Sequence, residues 1–350
     1  MAHFIFADDG FPFTGHSLRD GPLGGAESAF VQMAEALATQ GHRVTVYNNT
    51  PLAVDAFGVA WRNRASPWAQ DGDVYVANRS AYLLDKLPAI RRRIFWIHNP
   101  ANYLLKWRYA WRLAWHRPCI VFSGEYHAGT YPSWGPPWGG KTTRAIVPYG
   151  IGEIFLKSPP HELAPPPKVI FTSNPMRGLD WLLKLWTESI RPQVPNAELH
   201  VFSGVSTYQA GGTALGQKMS QVLTRAQELS RQGVVLRQPV AKSALIQELR
   251  SARAMLYQGD VGETFCLALG EAQAMGVPVV VQPIGNVAER VVDGITGYVA
   301  DDDKSFVEKS VRVLKDDAQW LDMHRAALAR QGVWDWPKAA RAFADLALSH

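Results

Sequence analysis

The chain has 350 residues, of which 47% are hydrophobic and 19% charged, and its formal net charge is +5. This length exceeds one typical domain and predicts two domains of about 150 residues each. The sequence has no stretch of about 18 uncharged apolar residues, so no membrane span is predicted. The start, MAHFIFADDG, lacks the basic region of a signal peptide. Cys119 and Cys266 lie in apolar runs typical of buried free thiols. We therefore expect a cytoplasmic protein.

The positive charge is concentrated in the first half of the chain. Residues 1–160 hold 16 Lys and Arg against 11 Asp and Glu, whereas the remainder holds 20 of each kind. Such an excess suits an anionic membrane surface, an anionic substrate or nucleic acid. No Cys and His residues are grouped with metal-ligand spacing, so the sequence predicts no metal site.

A strand, a long loop and a helix open the chain. His3–Ala7 is a predicted buried strand, and the following loop ends in Gly24-Gly25 before a helix from about Ser28 to Gln40. Glycines at a helix start let an anion approach the unpaired amides, and the alternative is that they only make the turn. The spacing is not G-x-G-x-x-G, so a dinucleotide fingerprint is not predicted.

Further strands and helices alternate along the first half, which predicts a parallel, doubly wound sheet. One of the strands is predicted over Ala56–Trp61 and another over Ile94–His98. Ligands of such sheets lie at the carboxyl ends of the strands. His98, at one such end, therefore either contacts a ligand or caps a turn.

A helix rich in tryptophan and arginine is predicted over residues 103–117. Its tryptophans Trp107, Trp111 and Trp115 recur every four residues and form one stripe of the helix. One interpretation packs this stripe on the sheet, with the lysine and arginine stems reaching water. The other is peripheral attachment to an anionic membrane, at its inner face.

Prolines divide the chain into two halves. Residues 157–168, KSPPHELAPPPK, hold five prolines in twelve positions, which is typical of a linker. The predicted organisation is a first domain over residues 1–157, a linker over 158–168 and a second domain over 169–333. A terminal helix over residues 334–350 begins with Pro in its first turn.

The most informative stretch is Gly259–Pro283, GDVGETFCLALGEAQAMGVPVVVQP. It predicts a loop, a helix that begins near Thr264, a glycine stop and the buried strand Val279–Val281. Glu271 is the only charged residue of this helix and strand. Because a carboxylate in an apolar run is costly to bury without a partner, it either faces water or holds a polar ligand.

The predicted helix start offers an anion site. The first amides of a helix have no intrahelical acceptor and can bind an anion, and Glu271 lies on the same helix face as Thr264. A diphosphate at the helix start, a sugar near Glu263 and a ribose diol near Glu271 would fit one extended molecule. The alternative is a solvated helix carboxylate, with Glu263 as a capping residue.

The two glutamates are separated by seven residues and followed by A-x-A-x-G-x-P-V. This pattern resembles the E-x7-E motif of retaining GT-B glycosyltransferases, family 4 (group 1) in particular. Two other segments resemble motifs of that family: Asp293–Gly297, and Pro148–Ile151 with Tyr149 where Asn is usual.

The resemblance implies an α/β, GT-B fold in which two doubly wound, parallel-sheet, Rossmann-like domains face a cleft. The acceptor would bind the first domain and a nucleotide-diphosphate sugar the second, with the terminal helix packing back on the first. Arg177 stands where the family usually has Lys, and Thr172 stands where an earlier Arg would bind the diphosphate. The implied catalytic residues are Glu263, His98 and Arg177, and the implied donor-binding residues are Gly24, Gly25, Glu271, Thr264, Phe265, Cys266, Leu267 and Val240.

The predicted function is sugar transfer with retention of anomeric configuration, for example in polysaccharide biosynthesis. We expect a UDP-sugar rather than a GDP-sugar as donor, a glycan, lipid-linked or small-molecule acceptor, no cofactor or metal, and no nucleic acid. One alternative is a non-catalytic protein of the same fold that binds sugar nucleotides or glycans. Another is a two-domain solute-binding protein of the periplasmic kind, against which the lack of a signal peptide argues.

Overall fold

The computed structural model describes residues 1–87, 89–90, 92–139, 143–208, 210–331 and 333–348. Within these ranges strands and helices alternate, as the apolar periodicity predicts. Strands β1 to β14 are, in chain order, His3–Ala7, Arg43–Asn48, Val54–Ala56, Val59–Asn63, Val74–Asn78, Arg92–Trp96, Cys119–Phe122, Arg144–Ile146, Lys168–Phe171, Glu198–Phe202, Val234–Arg237, Ala254–Gly259, Val279–Ile284 and Gly297–Val299.

The helices connect these strands, and short 3-10 segments and one π-helical turn supplement them. The 3-10 segments are Ala81–Asp85, Ala101–Leu105, Ser206–Tyr208, Leu229–Gln232 and Val287–Arg290, and the π-helical turn is Trp186–Ile190. Helices α1 to α13 are, in chain order, Ser17–Asp20, Gly25–Thr39, Trp107–His116, Glu125–Gly129, Glu153–Leu156, Leu179–Leu185, Arg191–Gln193, Ala214–Glu228, Lys242–Arg250, Leu267–Ala274, Asp303–Lys315, Asp317–Gln331 and Trp336–Leu348.

The first of two compact units contains Met1–Asp20, Ala26–Gly150 and Trp334–His350. Its sheet has the order β3-β4-β2-β1-β5-β6-β7-β8. All neighbours in this sheet are parallel except β3 and β4, which form an antiparallel hairpin. The single strand predicted over Ala56–Trp61 is therefore wrong. Phe57 and Gly58 both have positive φ, 53° and 80°, which is the geometry of a tight two-residue hairpin turn.

Aromatic side chains fill the core of the first unit. The ring of Phe6 on β1 lies edge-on to Phe30 on α2, with centroids 5.3 Å apart. It also stacks on Phe343 of the terminal helix at 6.2 Å. Trp334 just before that helix donates a hydrogen bond from Nε1 to the Pro148 carbonyl at 3.1 Å. Residues 349–350 of the predicted terminal helix lie outside the described residues.

The second unit contains Gly21–Gly25 and Ile151–Val333. Its sheet has the order β11-β10-β9-β12-β13-β14, and every strand pair in it is parallel. The two sheets confirm the prediction of an α/β chain with two parallel, doubly wound sheets.

The boundary between the two units falls after Gly150. The proline-rich segment over residues 158–168, which was predicted as a linker, therefore belongs to the second unit. Two hydrogen bonds hold the segment there. The Arg253 guanidinium donates to the Pro165 carbonyl at 3.1 Å, and the His161 amide donates to His324 at 2.8 Å. Its last residue, Lys168, already belongs to β9.

The tryptophan stripe does not pack on the sheet as one interpretation predicted. Trp107 and Trp115 are 80% and 78% exposed, whereas Leu113 of the same helix is fully buried. Residues two positions apart on a helix lie on nearly opposite sides, so burying Leu113 turns the tryptophans to the surface. The helix also begins at Trp107, after a 3-10 segment, rather than at residue 103.

Candidate active site

The stretch predicted to carry the chemistry connects β12 to β13 in the second unit. Helix α10 begins at Leu267, so the predicted start near Thr264 is wrong. The reason is Cys266, which has a left-handed conformation with φ 59° and forms the N-cap. The first backbone bond of this helix joins the Gly270 amide to the Cys266 carbonyl at 3.3 Å. The amides of Thr264 and Phe265 therefore belong to the preceding turn, and Leu267 provides the first helical amide.

Glu263 is buried and held by two donors. Its Oε2 accepts a hydrogen bond from the Tyr257 hydroxyl at 2.8 Å and forms an ion pair with Arg177 Nη1. Burial lowers the pKa of Arg177, but the Glu263 carboxylate outweighs burial, so the pKa is raised. Burial, and then Glu263, raise the pKa of Tyr257 well above its usual value, so its hydroxyl remains a donor. The result is a fixed carboxylate beside a permanently charged, half-buried guanidinium.

Glu271 is bridged by a cation that the sequence did not predict. Its side chain is buried, and the Lys242 ammonium lies 2.6 Å from both Oε1 and Oε2. The alternative in which Glu271 faces water is therefore wrong. Lys242 opens α9 two residues after Val240, so the lysine connects Glu271 to the chain segment that holds the predicted donor-binding residue Val240.

The remaining donor-binding residues of the second unit lie around the start of α10. Phe265 and Cys266 are buried, and the Arg290 guanidinium lies 4.2 Å from the centroid of the Phe265 ring. Burial raises the pKa of the Cys266 thiol well above its usual value, so it is a packing group rather than a nucleophile.

The glycine loop also groups with the second unit, through residues 21–25. A Cβ atom on Gly25 would lie 3.9 Å from Cδ1 of Leu267. Gly24 immediately precedes Gly25, which is the first residue of α2. The glycine loop and the first residue of α10, which the sequence analysis assigned to one ligand, are therefore close together.

A second polar cluster lies at the carboxyl ends of β1, β5 and β6 in the first unit. His98 donates a hydrogen bond from Nε2 to Asn78 Oδ1 at 2.6 Å. Because a neutral imidazole has one donor and one acceptor nitrogen, its Nδ1 accepts from the Tyr149 hydroxyl. Burial lowers the pKa of His98 well below its usual value, and the charges of Arg79 and His127 lower it further. His98 is thus a neutral ring in one fixed tautomer.

The same cluster contains an arginine held by two acids. Arg79 donates to Asp8 Oδ2 at 3.0 Å and to Glu27 Oε1 at 2.5 Å. Asn78 donates from Nδ2 to Asp8 Oδ2 at 2.5 Å, which connects this pair to His98. Arg79 itself has a positive φ of 62°, a conformation that residues other than glycine adopt uncommonly and that concentrates at functional sites.

Several of these residues were not predicted from the sequence. Asp8 and Asn78 carried a usable signal, because each is a polar residue at the end of a buried parallel strand. Lys242 and Tyr257 carried none, because the first reads as a solvated helix charge and the second as a core aromatic.

No three His, Cys, Asp or Glu side chains among the described residues are grouped so that they could hold a metal ion. Among these residues no helix combines the length and the apolar character needed to cross a membrane.

Part of the second unit is similar to known glycosyltransferases. Residues 166–316 match the family model described as "Glycosyl transferases group 1". A stretch of 115 residues is 35% identical to the D-inositol 3-phosphate glycosyltransferase of Streptomyces avermitilis. That stretch spans 32% of this chain and only 25% of the length of that protein.

Solved structures match over the whole chain. Sucrose-phosphate synthase from Thermosynechococcus elongatus has a TM-score of 0.75 at 16% identity, covering 99% of this chain and 98% of its own. The Anabaena protein Alr3699/HepE, solved in complex with UDP-glucose, has a TM-score of 0.71 at 15% identity, covering 100% of both chains. The predicted GT-B fold is confirmed by these structures, and the predicted resemblance to group 1 glycosyltransferases is confirmed by the family model.

Proposed function

We propose that this group 1, GT-B chain is a retaining glycosyltransferase that takes a sugar from a nucleotide-diphosphate donor, UDP-linked rather than GDP-linked. The observation that carries the proposal is the Glu263–Arg177 pair beside the start of α10, with Glu271 one turn into the same helix. All three residues lie within the segment matched by the family model. The choice of UDP is supported by the neighbour solved with UDP-glucose.

Charge explains how these groups would act. Breaking the bond between the sugar and the diphosphate develops negative charge on the leaving group and positive charge on the sugar. Arg177 and the first amides of α10 stabilise the first charge, because fixed donors in a poorly solvated site need no reorganisation. Glu263 orients the sugar hydroxyls and Glu271 holds the ribose. We propose that no metal ion or cofactor takes part.

The first unit provides the acceptor side. His98 is neutral and fixed by Asn78 and Tyr149, so in this proposal it offers the sugar a defined surface rather than a proton. The acceptor is a glycan, a lipid-linked sugar or a small molecule. The glycine loop, through Gly24 and Gly25, contacts the donor phosphates.

The test is release of nucleotide from a panel of UDP-, GDP- and ADP-sugars. We expect UDP release that rises when an accepted acceptor is added, and NMR of the product should show the anomeric configuration of the donor. Binding of a donor without any release, with every acceptor tried, would instead support a non-catalytic sugar-nucleotide-binding protein. A product with the opposite anomeric configuration would contradict retention but not sugar transfer itself.

We also propose that the protein attaches peripherally to the inner face of an anionic membrane. Four tryptophans of the first unit are 59–80% exposed, two on α3 and two in the loop after α4. The guanidinium of Arg117 joins the two segments by donating to the Trp138 carbonyl at 2.8 Å. Indole rings favour the membrane interface, and each nearby Lys or Arg adds about 1 kcal/mol of attraction to anionic lipid. The tryptophans are Trp107, Trp115, Trp134 and Trp138, and the neighbouring exposed cations are Lys106, Arg108 and Arg117.

Replacing Trp107 and Trp115 by serine is expected to abolish pelleting with vesicles that contain anionic lipid. Both side chains are exposed, so thermal stability should change little. Leu163→Ser, an 80% exposed apolar residue of the second unit, is the matched control and should pellet normally. Failure of the unaltered protein to pellet at low salt, or equal pelleting with neutral lipid, would contradict the proposal.

A further inference from the structure

The ammonium of Lys242 binds the Glu271 carboxylate, which in the proposed function holds the ribose. It lies 2.6 Å from each oxygen of Glu271, so both acceptor atoms are engaged by one group. The lysine side chain is 21% exposed and that of Glu271 only 4%. A ribose diol presents two hydroxyl donors and therefore needs the same two oxygens.

The local structure around Lys242 is electrostatically unfavourable for a cation. Lys242 is the first residue of α9, where the positive end of the helix dipole disfavours a cation. The N-cap, Ala241, provides no side-chain hydrogen bond to that helix start. The attraction of the buried Glu271 carboxylate offsets this cost. If a ligand takes over Glu271, the lysine loses the partner that holds it there.

We propose that Lys242 exchanges partners when the donor binds. The ribose diol takes the two oxygens of Glu271, and the displaced ammonium binds a phosphate oxygen of the same nucleotide. The inference rests on the proposed function, in which Glu271 holds the ribose. The lysine charge has an anionic partner in both states, a carboxylate in one and a phosphate in the other, while the Glu271 carboxylate exchanges the ammonium for two hydroxyl donors.

The exchange supplies a second cation for the diphosphate, beside Arg177. The residue at the position of the family's earlier arginine is Thr172, which cannot neutralise a phosphate. Arg177 is already engaged by Glu263. Lys242 reaches the phosphates only if it leaves Glu271, so binding of the ribose and binding of the phosphate are coupled.

This coupling predicts discrimination between nucleotides and nucleosides. A nucleoside must break the ion pair and offers the lysine no anion in return. A nucleoside diphosphate breaks the same pair but provides a new partner. Lys242 is therefore a specificity-determining residue for the phosphorylated carrier.

The experiment compares Lys242→Gln with the unaltered protein by calorimetry. The ligands are UDP, GDP and ADP, each beside its own nucleoside. Glutamine keeps a donor for Glu271, so the buried carboxylate is not left bare. For the diphosphate that binds, we expect affinity to fall at least tenfold in the variant, while affinity for the nucleoside is unchanged or higher. KM for the sugar donor should rise more than kcat falls.

Two further variants separate this role from a structural one. Lys242→Met removes the hydrogen bond as well as the charge and should give the same ratio of affinities at lower stability. Lys168→Met breaks a comparable ion pair with Glu248 in the same unit and should leave the ratio unchanged.

The outcomes distinguish the two proposals. Equal losses for diphosphate and nucleoside in Lys242→Gln would make the lysine a structural support and overturn the exchange alone. Tighter binding of both ligands would make it a simple competitor and overturn the exchange as well. If the unaltered protein binds none of the three diphosphates, the proposed function fails and the inference fails with it.

Discussion

Replacing Arg177 and Glu263 together by glutamine is expected to give a protein that folds but does not turn over donor. Either single replacement is expected to lose both stability and turnover. Arg177→Gln leaves the Glu263 carboxylate buried without its cation, which costs about 3 kcal/mol for a pair of this kind, and Glu263→Gln leaves the half-buried Arg177 guanidinium without its anion at a smaller cost. The double variant leaves two amides and the Tyr257 hydroxyl, which can satisfy one another without a buried charge.

Turnover should not return with stability, because the proposed function gives the two charges separate roles in the reaction. In that proposal, loss of Arg177 removes a fixed donor to the leaving group. Removing a donor of this kind typically lowers kcat by about 100-fold. Loss of the Glu263 charge removes the acceptor for the sugar hydroxyls. Urea unfolding measures the stability of each variant, and nucleotide release at saturating donor measures its turnover.

The control for this prediction is the exposed ion pair of Arg225 with Asp180 in the same unit, whose side chains are 42% and 58% exposed. Neutralising both should change neither quantity appreciably, because exposed pairs contribute about 1 kcal/mol or less. A double Arg177, Glu263 variant that regains turnover would show that the pair supports the fold only, and the assignment of both residues to the reaction would then be wrong.

The order of strands explains which parts of the site the sequence could predict. Apolar runs with glycine stops predict β12, α10 and β13, and the two sheets confirm the fold that follows from them. The contact between Arg177 and Glu263 is not contained in any such run, because the residues are 86 positions apart. It exists because β9 and β12 are parallel neighbours, so the loops after their carboxyl ends meet at one edge of the sheet.

Two errors have local physical causes. The start of α10 was predicted three residues early because nothing in the sequence TFCLAL signals that Cys266 adopts a positive φ. The sequence pattern of α3 is compatible with a buried tryptophan stripe, but in the structure Leu113 is the buried residue of this helix. Periodicity predicts that a face exists, and only the packing of the neighbouring elements decides which face is buried.

Acid is expected to destabilise the first unit, through histidines that are buried in their neutral form. His127 donates from Nε2 to the Asn99 carbonyl at 2.9 Å and accepts at Nδ1 from the Ser123 amide at 3.1 Å. Burial lowers its pKa from 6.5 to about 4, although the Asn99 carbonyl partly opposes the shift. Burial also lowers the pKa of His98 well below 6.5. Both rings lose a hydrogen bond if they are protonated, since each has one nitrogen that accepts.

The sign of the effect follows from the direction of these shifts. Between the folded pKa and 6.5, the unfolded chain binds a proton that the folded chain does not, so the free energy of unfolding rises with pH. The stabilisation is complete above 6.5 and is lost as the pH falls toward 4. Each such histidine contributes about 1.4 kcal/mol per pH unit in this window. For His127, whose pKa in the folded protein is about 4, the fall from pH 6.5 to 5 should remove about 2 kcal/mol.

The measurement is urea unfolding at pH 7, 6 and 5, followed by tryptophan fluorescence. In His127→Gln the dependence on pH should become shallower by about 1.4 kcal/mol per unit, even though the variant is less stable at pH 7 because the bonds to Ser123 and Asn99 are weakened. The exposed His16 provides the control, since His16→Gln removes a histidine that is not buried and should leave the profile unchanged. An identical slope in His127→Gln and the unaltered chain would mean that His127 is not the buried neutral base on which the acid sensitivity depends.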